Sequence, residues 1–305
     1  MTIGSTIAAA NYVAIQDKAQ ALLGTGSGSR GYNQTVISSD VLTGTQITKE
    51  QWDLLKTDII NILFHQEGSL PSIITINRGD VIQFGAGHPN TNYNTLLDTA
   101  TTNRFRIATN QSVISSKGSA TYTSAWTTST QFTLTVTGTG ATSLERSNNL
   151  RYFFNSGGKV RIISAITGGS STRQVDAWKT LLNTAGTQSF GADTNPTVNY
   201  YTLTNSFQTY YQQASTGVYG YAGSSYRLEA RTDVANNSIG TATTLFLRVT
   251  LTDLYTDPGP PAPGDLIDGT LTIAVEELKA SGTLLPTGTF SIVSPAYSLS
   301  TISAS

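Results

Sequence analysis

Apolar residues recur along the first part of the chain with the period of a helix. Tyr12, Ile15, Ala19, Leu22 and Leu23 fall on one helical face, and Gly24 stands where such a helix would end. A second helix opens at Thr48, where Gln51 completes a capping box and Ile47 with Trp52 forms a hydrophobic staple. Its stripe is Trp52, Leu55, Ile59, Ile62 and Leu63. The two stripes match, which predicts that the helices pack on each other as a small module over residues 1–68. The joining segment Gly24–Ile47 is Gly-rich and turns strand-like at Thr35–Ile37.

Residues 69–103 read as a connector. Ile73–Ile76 and Val81–Phe84 suggest a hairpin turned at Asn77-Arg78-Gly79-Asp80, and a short helix follows at Tyr93–Thr102. The Arg-Gly-Asp tripeptide is read as turn chemistry rather than as an adhesion signal.

From Arg104 onward the period changes to two. Strand-like runs appear at Phe105–Ala108, Ser112–Ser115, Thr121–Trp126 and Gln131–Thr137, the last a clean alternation of Phe132, Leu134 and Val136. In Leu150–Gly169 two β-rich runs, Arg151–Phe154 and Lys159–Ile166, flank Asn155-Ser156-Gly157-Gly158 and predict a β-hairpin. Gln174–Thr184 reads as one helix with Val175, Trp178, Leu181 and Leu182 inward. Further strands are expected at Asn199–Leu203, Phe207–Gln212, Tyr226–Thr232, Thr244–Asp253, Gly269–Glu277 and Thr289–Val293. The fold class expected is mainly β, with a β-sandwich or jelly-roll-like domain over residues 104–305 behind the helical module. The Pro-rich stretch 257–264 is taken as a rigid loop within that domain.

Composition sharpens this picture. Charged residues are only 12% of the 305, against a usual quarter or so. Thr and Ser together make up roughly a quarter of the chain, well above ordinary usage. Such a surface is polar with little charge, which suits rigid β proteins packed in assemblies. With a formal net charge of −1, no general attraction to nucleic acid or to acidic membranes is expected. The N-terminal stretch lacks the pattern of a secretory signal. No apolar run approaches the roughly 20 residues of a membrane span.

Candidate chemistry is sparse. There is no cysteine, and His65 and His88 are the only histidines. No HExxH, GxSxG or phosphate-loop spacing appears, so no catalytic residue, metal ligand or cofactor is assigned. His65 is read as a structural residue near the end of its helix. Gly26 to Gly31 formally matches GxGxxG, but it follows a helix rather than a strand and is read as a loop. Half of the 14 tyrosines fall between Tyr200 and Tyr226. Tyr200, Tyr201, Tyr210, Tyr211, Tyr219 and Tyr221 are the candidates for receptor or subunit contact, with cross-strand packing as the alternative.

At LRYFFNSGGKVRI the sequence resembles virion structural proteins of tailed bacteriophages, notably T4-like phages of cyanobacteria and related aquatic phages. LLGTGSGSRGYNQTV at 22–36, QWDLLKTDIINILFHQEG at 51–68, TTNRFRIATNQSVIS at 101–115 and DGTLTIAVEELKASG at 268–282 look like the same family. The resemblance implies a non-enzymatic virion protein made in the host cytoplasm, of the tail, baseplate or fibre. Neck and capsid-surface positions are the alternatives, as, less favoured, is a glycan-degrading tailspike. It implies other virion proteins as partners, a homo-oligomer (trimer or hexamer), and contact with a host-surface glycan or protein. The helical module, with little core of its own, is the expected docking element. Its stripe residues Tyr12, Ile15, Trp52, Ile59 and Leu63 are divided between internal packing and a partner.

Overall fold

The computed structural model describes residues 9–26, 30–77, 80, 87–170, 172–216, 222–255 and 266–304. Outside them lie the chain start, the middle of the Gly26–Gly31 loop, Arg78 and Gly79, the expected strand 81–84, and the Pro-rich stretch 257–264.

Five helices and eleven strands are present among the described residues. The helices are α1 (Ala9–Leu23), α2 (Lys49–Glu67), α3 (Pro89–Thr102), α4 (Ser143–Asn155) and α5 (Arg173–Ala185). The strands are β1 (Ser112–Tyr122), β2 (Ser129–Thr137), β3 (Lys159–Thr167), β4 (Gln188–Phe190), β5 (Gln208–Thr216), β6 (Ala222–Thr232), β7 (Thr244–Thr252), β8 (Thr270–Thr283), β9 (Thr289–Ser291), β10 (Ala296–Leu299) and β11 (Ser303–Ala304). The protein is therefore mainly β with its first helices N-terminal, as the change of period from 3.6 to 2 implied. Internal contacts divide the chain into two compact units. One comprises residues 1–113, 151–158 and 279–293; the other comprises 114–150, 159–278 and 294–305.

In the first unit α1, α2 and α3 pack against one another. The capping box at Thr48 and Gln51 forms as the sequence predicts, and Gly68 closes α2 in the left-handed conformation at φ 74°. Tyr12 and Tyr93 each meet Trp52 edge-on, at ring-centroid distances of 5.0 and 5.7 Å. Each helix thus contributes one ring to a common aromatic centre. Lys18 bridges α1 to Asp98 on α3 at 2.5 Å. The segment Thr35–Ile37 is not a strand. Asp58 on α2 instead accepts the backbone N–H of Ile37 and of Ser38, at 3.2 and 2.8 Å, and takes the place of a partner strand.

In the second unit, β10-β2-β7-β6-β5 form one antiparallel sheet, to which β11 adds beside β2. The other sheet runs β1-β8-β3-β4; the end of β8 beyond Leu278, with the β9 strand that pairs it, belongs to the first unit. Buried residues alternate with partly exposed ones along β2, β3 and β7. The inner faces meet where Ser164 of β3 hydrogen-bonds Tyr226 of β6, hydroxyl to hydroxyl, at 3.0 Å. α5 lies against β3, β5 and β6. Its Trp178 is buried edge-on to Trp126 at 5.1 Å.

Several expected strands are different structures. Ile73–Ile76 is irregular, its Ile74 N–H donating to Asn92 Oδ1 and its Ile74 O accepting from the Tyr93 hydroxyl, and of Thr121–Trp126 only Thr121 and Tyr122 lie in a strand, as the end of β1. Arg151–Phe154 is not the first arm of a hairpin but the last turn of α4. Thr142 caps that helix at the Glu145 N–H, and Glu145 reaches back to the N–H groups of Ala141 and Thr142. Gly157, at φ 81°, ends it. The Gly157 N–H donates to Phe154 O and the Gly158 N–H to Phe153 O, at 3.2 and 2.9 Å, which is the Schellman arrangement. The left-handed conformation read as a hairpin turn therefore serves a helix stop. Phe105–Ala108 is irregular, and Asn199–Leu203 holds a short 3-10 turn, Tyr200–Thr202, rather than a strand. Its cap is local: Asn199 accepts from the Tyr201 N–H at 3.0 Å.

Candidate functional site

The five stripe residues offered as a docking face are interior. Tyr12, Ile15, Trp52, Ile59 and Leu63 are each at most 3% exposed. The expectation that the helical module needs an outside surface to cover it fails for a specific reason: later parts of the chain complete it. Tyr32 lies beside Phe290, with ring centroids 5.8 Å apart. Asn155 donates its amide to Gly31 O at 3.0 Å. Asn61 exchanges two hydrogen bonds with the backbone of Leu285, at 3.1 and 2.6 Å. The core that residues 1–68 lack is thus supplied by the same compact unit.

The tyrosine set divides. Tyr200 is fully buried and Tyr210 nearly so, the latter tilted against Phe190 at 5.0 Å. Burial pushes the Tyr210 phenol well above its ordinary value. Neither is a surface contact. Tyr201 and Tyr211 remain partly exposed, set edge-on to Tyr200 and Tyr226 respectively. Tyr219 and Tyr221 lie outside the described residues. Packing explains two of the six, Tyr200 and Tyr210, because a ring beside a bulge or a turn fills space that a β-branched side chain cannot.

Buried polar groups are engaged in holding the backbone and one another. His65 Nε2 lies 3.1 Å from Ser156 O. A neutral ring with its proton on Nε2 satisfies that carbonyl, and burial pushes the imidazole down to about 3. His65 is therefore structural, as the sequence suggests, although as a neutral core ring rather than as a cation on the helix dipole. Gln66 donates to Tyr32 Oη at 2.7 Å and to Ala100 O at 2.9 Å. In the second unit Asp253 accepts from Gln174, Ser224 and the Tyr255 N–H, at 2.5, 2.7 and 3.1 Å. Glu277, fully buried, accepts from Lys117 Nζ at 3.1 Å and Ser294 Oγ at 2.9 Å. No group of three or more His, Asp or Glu side chains able to hold a metal occurs among the described residues. No described helix is long and apolar enough to cross a membrane.

The most distinctive surface feature was not singled out from sequence. On the outer face of the sheet, Arg231 of β6 sits over Phe246 of β7 at 4.0 Å and over Phe207 at 5.1 Å. Arg248 covers Phe207 at 4.0 Å and donates both Nε and Nη2 to Glu229 Oε2, each at 2.8 Å. Arg227 Nε lies 3.6 Å from the same oxygen. The signal was available: in YRLEART at 226–232, strict alternation places Arg227, Glu229 and Arg231 on one face. No family model matches the chain, and neither a curated protein nor a solved structure matches it significantly.

Proposed function

We propose that this chain is a non-enzymatic structural subunit of a tailed-bacteriophage virion, in the tail, baseplate or fibre region, contributing to assembly or host attachment. The observation that carries the non-enzymatic reading is the use made of the buried ionisable groups. Asp58, His65, Asp253 and Glu277 each bind backbone or a neighbouring side chain of their own unit. Catalytic groups would instead converge on a shared space where a substrate could enter. The two antiparallel sheets with a low-charge Thr/Ser exterior support a role in repeated contacts. The assignment to a virion rests on the sequence resemblance.

Quantitative mass spectrometry of purified particles, with labelling by an antibody to this chain seen in electron microscopy, tests the reading. Several copies per particle, grouped on the tail, are expected. Absence of the chain from gradient-purified particles overturns it.

A further inference from the structure

We infer that the outer face of the β10-β2-β7-β6-β5 sheet is a binding site for a carboxylated polysaccharide, read by the stacked guanidinium of Arg231. The inference deepens the host-attachment part of the proposed function by naming a site and a ligand class. Its test uses the isolated chain, so it succeeds or fails independently of where the chain sits in a particle.

Charge is the first observation. Within these strands the charged residues are Arg227, Glu229 and Arg231 on β6 and Arg248 on β7. The register pairs Glu229 with Arg248, Arg231 with Phe246 and Arg227 with Thr250, so all four charges share one face. That face carries a net +2 in a chain whose net charge is −1. The single carboxylate, 8% exposed, is engaged by Arg248 and approached by Arg227. The next acid along β6, Asp233, is at the hairpin turn and accepts from the N–H and hydroxyl of Thr243 and the N–H of Thr244. Arg231 has no carboxylate partner among the described residues.

Geometry is the second. Arg231 stands on the middle strand between Phe207 and Phe246, and both rings hold its guanidinium. Two cation–π contacts hold the group in place, and a guanidinium so held keeps N–H donors for an acceptor. A carboxylate accepts two parallel N–H bonds from such a group.

A third observation is the set of threonines beside the arginines. Thr250 lies on this face opposite Arg227 and Gln131. Thr133 and Thr135 of β2 continue the same face beside Arg248 and Phe246. Hydroxyls two residues apart along a strand, about 7 Å, suit a polyhydroxylated ligand. A protein partner would call for an apolar centre, which this face lacks because its two phenylalanines already carry guanidinium groups.

Binding of galacturonate oligosaccharides, length-matched neutral dextran oligosaccharides and polyglutamate to the full chain is the test, read by calorimetry at fixed salt. Galacturonate is expected to bind. Arg231→Ala should weaken it at least tenfold, and Arg231→Lys should restore only part. Thr135→Val, at a part-buried position of the same face, should weaken binding severalfold with an unchanged unfolding midpoint. If Arg231→Ala does not fold, Thr135→Val and Arg227→Ala carry the comparison. Arg161→Ala, which breaks the 2.9 Å pair with Glu276 on the other sheet, should leave affinity unchanged. Four results overturn the inference: no galacturonate binding at millimolar concentration, dextran binding as tight, polyglutamate binding as tight or tighter, or equal weakening by Arg161→Ala.

Discussion

The imidazole of His65 lies parallel to the ring of Phe290, with centroids 4.0 Å apart and planes within 3°. Tyr32 closes the remaining side, edge-on to His65 at 5.0 Å. With Nε2 directed at Ser156 O, Nδ1 has no partner among the described residues, and a second proton would be placed in an apolar setting. The folded group therefore titrates at about 3 instead of 6.5.

That depression makes stability depend on pH. Between these two values the unfolded chain binds the proton and the folded chain does not. Stability should accordingly be full above about pH 6.5 and fall as pH drops below it, by up to about 1.4 kcal/mol per pH unit. Asp58 acts in the opposite direction, since desolvation raises its folded pKa despite its hydrogen bonds to Ser38 and Ile37. The contribution of His65 is isolated by comparing denaturant unfolding of the wild type and His65→Phe between pH 6.5 and 5. The variant should lose about one proton's worth of slope. Equal slopes would mean that His65 is protonated in the fold.

Asp58→Ala should strand two backbone donors beside a fully buried site. Each costs about 1–3 kcal/mol. Asp58→Asn keeps one acceptor oxygen and should cost less. Hydrogen exchange at Ile37 and Ser38 should rise sharply in the alanine variant and little elsewhere in α2.

Trp52→Ala removes the ring that Tyr12 and Tyr93 share and should cost about 3–5 kcal/mol in chemical denaturation. Because Trp52 is 1% exposed, the loss should appear in the purified chain with no partner present.

Gly158→Ala tests the helix stop that replaces the expected hairpin. A methyl there would lie 2.8 Å from the Phe153 ring and against the carbonyl that the Gly158 N–H must reach. Overpacking of this kind should cost about 1–3 kcal/mol. Gly168→Ala is a comparison with a different origin: open space surrounds its Cβ, so its cost is confined to the strain of φ 66°.

By itself the sequence determined those elements whose signals are local. α2 carries its own capping box, stripe and closing glycine. α5 has an apolar face, Val175, Trp178, Leu181 and Leu182, opposite a polar one. β2 and β7 alternate because one face is buried and the other meets water. α4 was missed although Thr142 and Glu145 spelled its start. Leu150, Tyr152, Phe153 and Phe154 are all buried, and so are Arg151 and Asn155, so its last turn has no exposed side and its apolar run reads as β-rich. The glycines after it permit either a hairpin or a helix stop, and only the burial of those rings within the fold decides between them. Tertiary structure likewise decided the fate of the surface candidates. Trp52 and Tyr200 have the chemistry of interface residues, but whether a ring faces a partner or its own core depends on what the distant chain brings against it. The Arg231 platform depends on the same kind of meeting. Alternation sets three charges on one side of β6, while the two rings that hold Arg231 arrive from β7 and from the residue preceding β5.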